Sequence, residues 1–213
     1  MIPERVPEPE ILDSLPPDDP RARASRRDLR LLNRFMGTRS FFLRTLRHRA
    51  PRQDPVLELG AGEATLATPV VRAGFRYTGL DQFPPPTGFA YPWVESDVLT
   101  FSDYAAFPIV IMNMFLHHFS SAEIRQIGSA CLAHARLVAV CEPWKTTWSR
   151  RVMQLSAPLW HPVTRHDADI SIRGGFEPGE IFRGLGATPD RWIIQEHAHW
   201  RGTVRMILLR RED

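Results

Sequence analysis

The sequence predicts an α/β chain built on a doubly wound, mostly parallel sheet of seven strands, and three observations predict it. Strand and helix patterns alternate through the middle of the chain, which is the rhythm of βαβ units. A short apolar strand, Pro55-Val-Leu-Glu-Leu59, runs straight into a glycine-rich turn at Gly60-Ala-Gly62. The last two strand patterns, 191–195 and 203–209, follow one another without a helix between them, which suits a terminal antiparallel pair.

Each element has its own signal. Residues 1–20 are rich in proline and acid and are expected to lie extended against the body or partly disordered. A helical pattern starts at Asp18-Asp19-Pro20, with Leu29, Leu32, Phe35 and Met36 on one face. Gly37-Thr38 breaks it, and Phe41, Phe42, Leu43 and Leu46 mark a second short helix. Strands are expected near 55–60, 75–80, 92–95, 108–114 and 136–141, with helices near 63–73 and 121–134. Residues 144–176 are too long for a simple connection and carry Trp144, Trp148, Met153, Leu155, Leu159 and Trp160, the composition of a functional lid. A further helix near 178–185 precedes the closing strands. Residues 1–52 are therefore an N-terminal extension that forms part of the lid, and 53–213 are the main domain with its insertion at 144–176.

Composition fits a soluble globular protein: 43% of the 213 residues are apolar and 24% charged. No apolar run approaches the ~20 residues that cross a bilayer. The N-terminus lacks the apolar core of a signal peptide, so a cytoplasmic location is expected. Cys131 and Cys141 sit in apolar contexts and read as buried free thiols. The formal charge of +3 is almost all arginine, with Lys145 the sole lysine. Arg21, Arg23, Arg26, Arg27, Arg30 and Arg34 crowd one stretch that suits RNA phosphates, an anionic membrane surface or a solvated helix face. No aromatic residues interleave in its densest part, which favours the solvated face.

The chemistry gathers at strand ends. Gly60 and Gly62 let the backbone turn tightly and approach a ligand closely, with Ala61 between them. The last position of a dinucleotide fingerprint is Thr65 here, and two carboxylates, Glu58 and Glu63, flank the turn. Acid in that place suits a cationic ammonium or sulfonium group, not a diphosphate, so the turn reads as a loop for S-adenosylmethionine. Asp81 closes the next strand 21 residues after Gly60, near the ~20-residue spacing at which a carboxylate takes up ribose hydroxyls. The alternative is a solvated turn acid before Pro84-Pro85-Pro86. Gln82 is a candidate for the adenine side.

Val56-Leu-Glu-Leu-Gly-Ala-Gly62 resembles the first motif of the class I S-adenosylmethionine-dependent methyltransferases, E/D-x-G-x-G-x-G, with Ala64 in place of the third glycine. The resemblance implies a Rossmann-like sheet that ends in an antiparallel pair, and it covers about residues 53–210. Glu95-Ser-Asp-Val-Leu99 resembles the segment in which an acid, Asp97, meets the adenine amino group and the next amide, that of Val98, meets the ring; a turn or cap acid is the alternative. Ile109-Val-Ile-Met-Asn-Met-Phe-Leu-His-His-Phe119 resembles the Asn-Leu-Phe-Leu-His-His-Phe segment of small-molecule enzymes, the quinone-modifying ones among them. That likeness adds Asn113 to the cofactor residues. It is unlike the Asn/Asp-Pro-Pro-Tyr of enzymes that methylate bases, which argues against a nucleic-acid substrate. Pro108 replaces an acid common before this strand.

Val163-Thr-Arg-His-Asp-Ala-Asp-Ile-Ser-Ile-Arg173 is similar to a segment of a bacterial subgroup found in polyketide and other secondary-metabolite settings. Asp18-Asp-Pro20, Arg27-Asp-Leu29 and Asn33 also resemble that subgroup. The expected activity is methyl transfer to a small aromatic or lipid-like acceptor, most readily at oxygen.

His117 and His118 are candidate bases because imidazole titrates near working pH. His166 in the lid is a third, and a side chain that follows it directly, Asp167, is expected to point elsewhere. Trp144, Trp148 and Trp160 are candidates for a pocket wall, and Arg173 for pairing with an acidic acceptor. No resident metal is expected, since His161, His166 and Asp167 lack a fixed ligand spacing. Two other functions fit the same residues: an RNA methyltransferase gripping phosphates with its arginine-rich segment, and a cofactor-binding protein without transfer activity.

Overall fold

The computed structural model describes residues 4–16 and 18–211; the expectations for residues 1–3, 17, 212 and 213 lie outside it. Seven strands form one sheet: β1 Pro55–Leu59, β2 Arg76–Asp81, β3 Trp93–Glu95, β4 Ile109–Asn113, β5 Leu137–Pro143, β6 Trp192–His199 and β7 Thr203–Arg210. Their order is β3-β2-β1-β4-β5-β7-β6, and β7 runs antiparallel to both neighbours. Chain order reverses between β1 and β4, so their carboxyl ends open the crevice in which open α/β sheets bind ligands. The register is specific. Leu59 lies beside Leu80 and Met112, and Asn113 beside Cys141. The residues that follow β1 therefore emerge next to Asp81 and Asn113.

The strands are apolar on both faces, as a sheet covered on both sides requires. One face carries Leu57, Leu59, Val110 and Met112 against Ile124, Ile127, Ile181 and Leu185 of α5 (Ser121–His134) and α8 (Glu180–Leu185). The other carries Val56, Tyr77, Ile109 and Ile111 against Phe42 and Leu46 of α3 (Thr38–Arg49) and Val70 of α4 (Ala67–Arg72). Cys131 and Cys141 are buried free thiols, each pushed up to about 12 by burial.

Three elements differ from expectation for identifiable reasons. Ala64 takes φ +48°, a left-handed conformation that no helix interior accommodates, so α4 starts at Ala67 and not near 63. The proline-rich N-terminus is not extended throughout, because Ile11–Ser14 form a helical turn, α1. The long helix α2 (Pro20–Met36) begins as expected, with Asp19 accepting from Arg21 N and Pro20 in the first turn. Its buried face, however, is Ala22, Ser25 and Asp28, while Leu31 and Phe35 are each 51% exposed. That face is polar because Ser25 and Asp28 bond residues of the 144–176 insertion.

The insertion at 144–176 consists of α6 (Thr147–Ser156) and α7 (Pro162–Arg173). Asp28, buried on α2, accepts from His161 N at 2.8 Å and Thr164 Oγ1 at 3.1 Å, and Thr164 also meets Ser25. The two segments that resemble one subgroup thus touch each other. Several arginines of α2 are paired with acids: Arg21 with Asp19, and Arg26 and Arg30 with Glu63. From the closing hairpin, Arg201 and Arg205 donate to the carbonyls of Phe35 and Met36 at the carboxyl end of α2, where cations suit the helix dipole. No helix among the described residues is long and apolar enough to cross a membrane.

Candidate functional site

The turn after β1 shows why its glycines differ. A Cβ on Gly60, at φ +65°, would fall 2.0 Å from Cδ2 of Phe115. Gly60 is small because the 114–118 loop presses on it. Gly62, at φ +48°, has no atom within 4 Å of the same notional position. That open side is a cradle which a side chain would fill. Ala61 is buried, and its amide donates to Leu80 O at 3.1 Å, tying the turn to β2.

Asp81 ends β2 beside this cradle. Its Oδ2 accepts from Gly62 N at 2.8 Å and its Oδ1 from Phe83 N at 3.1 Å, so the carboxylate is fixed with further lone pairs available. Across the crevice Asn113 Oδ1 is buried and accepts no hydrogen bond among the described residues. An orphaned acceptor costs about 1–3 kcal/mol, which a ligand donor would recover. Gln82 is exposed at the mouth. Asp97 is also exposed, and its Oδ1 accepts from Leu99 N at 2.9 Å, so in this structure it caps the turn that buries Val98.

The acids flanking the turn do not stand as open carboxylates toward a cation. Glu58 is 3% exposed and accepts from the Tyr77 hydroxyl at 2.6 Å. Burial pushes it up to about 8, so it holds a proton at neutral pH. Glu63 is occupied by Arg26 and Arg30.

Beyond Asn113, Met114 adopts φ +54° and the chain folds into a short 3₁₀ turn that presents both histidines. Glu142, at the end of β5 and fully buried, organises it. Its Oε1 accepts from Phe115 N at 2.9 Å and Leu116 N at 2.8 Å, and its Oε2 lies 2.8 Å from His117 Nδ1. The sequence places an acid at this edge, but only the fold reveals the three bonds it makes. On the other side His117 Nε2 lies 3.7 Å from Glu10 Oε1. Burial opposes a charge on His117, but bonds to Glu10 and Glu142 outweigh it and raise the imidazole to about 9. His118 lies over His117 with ring centroids 4.2 Å apart and planes tilted by 35°. Burial and then the neighbouring charge lower it to about 4. The adjacent histidines therefore differ: His117 is a fixed cation and His118 a neutral imidazole.

Glu10, His117 and His118 bring three possible ligand atoms within 4.8 Å of one another. The cluster forms a relay in which Glu142 bonds His117 Nδ1, Glu10 faces Nε2 at 3.7 Å and His118 lies against the ring.

The lid residues are placed differently from the relay. His166 is exposed and lines a groove of about 470 Å³ between α6 and α7 with Arg150, Met153 and Arg165. Its Nδ1 lies 3.1 Å from Asp167 Oδ1, so these neighbours do meet, contrary to the divergence expected of adjacent side chains. Arg173 is paired with Glu8 and Asp169. Trp148 is half exposed and donates to Trp200 O at 3.0 Å; Trp160 donates to Ser156 Oγ at 2.8 Å. Trp144 alone of the three packs against the main core. His161 caps α7, accepting from Val163 N.

The sheet order, the antiparallel seventh strand and the glycine turn at the switch point together specify the architecture. The fold is that of the class I S-adenosylmethionine-dependent methyltransferases. The sequence matches no family model and no curated protein. Among solved structures, the plantazolicin methyltransferase BpumL, in complex with a pentazolic desmethylPZN analog and SAH, has a TM-score of 0.68 at 9% identity over 91% of this chain and 92% of its own. The magnesium protoporphyrin IX methyltransferase ChlM from Synechocystis PCC 6803, with bound SAH, gives 0.56 at 18% identity over 87% and 86%. A structure concerned with conversion of a disulfide bond into a thioacetal group during echinomycin biosynthesis gives 0.54 at 17% identity over 79% and 80%.

Proposed function

We propose that this chain is an S-adenosylmethionine-dependent methyltransferase acting on a small acceptor through an acidic hydroxyl. The observation that carries the reading is the assembly at the switch point: the open side of Gly62, the fixed carboxylate of Asp81 and the orphaned Oδ1 of Asn113, with His118 in the turn that follows β4. Asp81 would hold the ribose hydroxyls, Asn113 would accept from a donor on the cofactor, and Gly60 to Gly62 would let its backbone come close. The cofactor supplies a methyl group already activated on a sulfonium. The protein has only to align the acceptor and accommodate its proton.

His118 is the group suited to that proton. His117 has both ring nitrogens facing carboxylates and is already charged near neutral pH. An imidazole at about 4 is neutral at working pH but a weak base. It serves an acceptor that ionises readily, such as a phenol, better than an aliphatic alcohol. The molecules named with the neighbours, a pentazolic desmethylPZN analog and magnesium protoporphyrin IX, are also small, and one neighbour belongs to echinomycin biosynthesis, which supports a role in secondary metabolism.

The test is transfer of isotope-labelled methyl from S-adenosylmethionine to a panel of phenols, carboxylic acids and aliphatic alcohols. Label is expected in the phenols. Donor binding with no label in any acceptor would overturn the transfer reading and leave a cofactor-binding protein.

A further inference from the structure

The N-terminal strap is tied to the lid at several points. The guanidinium of Arg5 lies 3.9 Å over the Phe176 ring and donates to the carbonyls of Gly174 and Gly175. Glu8 pairs with Arg173 at 2.7 Å. Asp167, buried on α7, accepts from the first two amides of α1, Ile11 N at 2.9 Å and Leu12 N at 3.0 Å. Glu10 accepts from Ser171 Oγ, which lies 2.9 Å from Asp167 O. These anchors bring one strap carboxylate inward. Glu10 has only 11% of its side chain exposed, and its Oε1 faces His117 Nε2 across 3.7 Å. His117 is thereby held between a carboxylate of the rigid sheet, Glu142, and one of the strap.

We propose that Glu10 is a positioning residue of the transfer site: it fixes His117 from the strap side, so that the site is complete only when residues 5–14 are seated on α7. This rests on the methyl-transfer reading for the reaction it serves, but not for the geometry. With the strap seated, His117 is hydrogen-bonded to Glu142 at Nδ1 and faces the Glu10 carboxylate at Nε2 across 3.7 Å, and its ring lies against that of His118. With the strap lifted, Nε2 loses its partner while Nδ1 keeps Glu142. Lifting the strap also uncovers the histidine pair, and the lowered titration of His118, set first by burial and then by the charge of His117, belongs to the closed form. The strap also carries Asp13, raised to about 6 by burial and by the charges of Glu10 and Asp167. The charged groups around the pair are therefore Glu10, Asp13 and Arg5 from the strap, Glu142 from β5 and Asp167 from α7.

The experiment needs neither donor nor acceptor. Imidazole resonances of ¹⁵N-histidine-labelled full-length protein are titrated by NMR in wild type, Glu10→Gln, Glu10→Asp and Arg5→Ala, with His117→Asn for assignment. Amide hydrogen exchange over residues 5–14 is followed in the same samples. Glu10→Gln is expected to lower the titration of His117 by at least one pH unit at unchanged melting temperature, with Glu10→Asp intermediate. Arg5→Ala is expected to speed exchange in α1 and lower His117 without touching it. An unchanged His117 titration in Glu10→Gln overturns the proposal, as does fast exchange across α1 in wild type. Affinity for S-adenosylhomocysteine, measured separately on the same variants, should change less than threefold. Absence of that binding in wild type would count against the methyltransferase reading alone.

Discussion

Replacing Gly62 with alanine separates the cofactor cradle from the fold. The residue sits at φ +48° with no atom within 4 Å of an added Cβ, so the methyl meets no protein. Its cost to stability is the left-handed backbone, about 1 kcal/mol, which Ala64 two residues on already bears at φ +48°. For a chain of this size that is a fall of about 2–4 °C in melting temperature. Gly60 provides the contrast. There the new Cβ lies 2.0, 2.6 and 2.7 Å from three atoms of the Phe115 ring. Overpacking of roughly 1–3 kcal/mol adds to the backbone strain, for a total of about 2–5 kcal/mol. Thermal unfolding and titration with S-adenosylhomocysteine on both variants separate the effects. Gly62→Ala should melt close to wild type yet bind at least about tenfold more weakly, a loss of about 1.4 kcal/mol. Gly60→Ala should be substantially destabilised. Wild-type affinity in Gly62→Ala would refute the assignment of the turn as a cradle.

Further predictions come from the other buried groups. Glu58 holds its proton to about pH 8 in the fold but releases it at about 4.5 when unfolded, so the folded state binds the extra proton between those values. Stability should therefore fall as pH rises from 4.5 to 8, and Glu58→Gln should flatten that slope; parallel melting profiles would show that Glu58 is ionised. Asp28→Ala leaves His161 N without its acceptor and Thr164 Oγ1 with Ser25 alone, at a cost of about 1–3 kcal/mol, and should make the segment 147–173 more sensitive to limited proteolysis. His118→Ala should slow turnover on a phenolic acceptor by about 10²-fold or more while donor affinity holds. Equal turnover would remove His118 from the proton's path.

Features whose cause lies within a few residues were legible in the sequence. The strands announce themselves as short apolar runs, and Asp81 and Asn113 stand at their ends because the chain must turn there. The start of α4 was hidden because Ala64 keeps the left-handed backbone of the glycine it replaces. The helical turn α1 depends on Asp167, which lies 156 residues away from the Ile11 amide it accepts from. The part Glu142 plays in the His117 turn was out of view for the same reason: it joins segments 25 residues apart through side-chain oxygens. Length and the apolar and aromatic residues set 144–176 apart as an insertion, but side-chain direction is a tertiary property. Trp148 turned to the closing hairpin, and Arg173 to the strap.

The central claim is a cofactor site built on Asp81 at the switch point. Calorimetric titration of wild type and Asp81→Ala with S-adenosylmethionine and S-adenosylhomocysteine tests it most directly. Micromolar binding by wild type, about 8 kcal/mol, that is lost in Asp81→Ala is the predicted result. No binding by wild type, or equal binding by both proteins, would contradict the account.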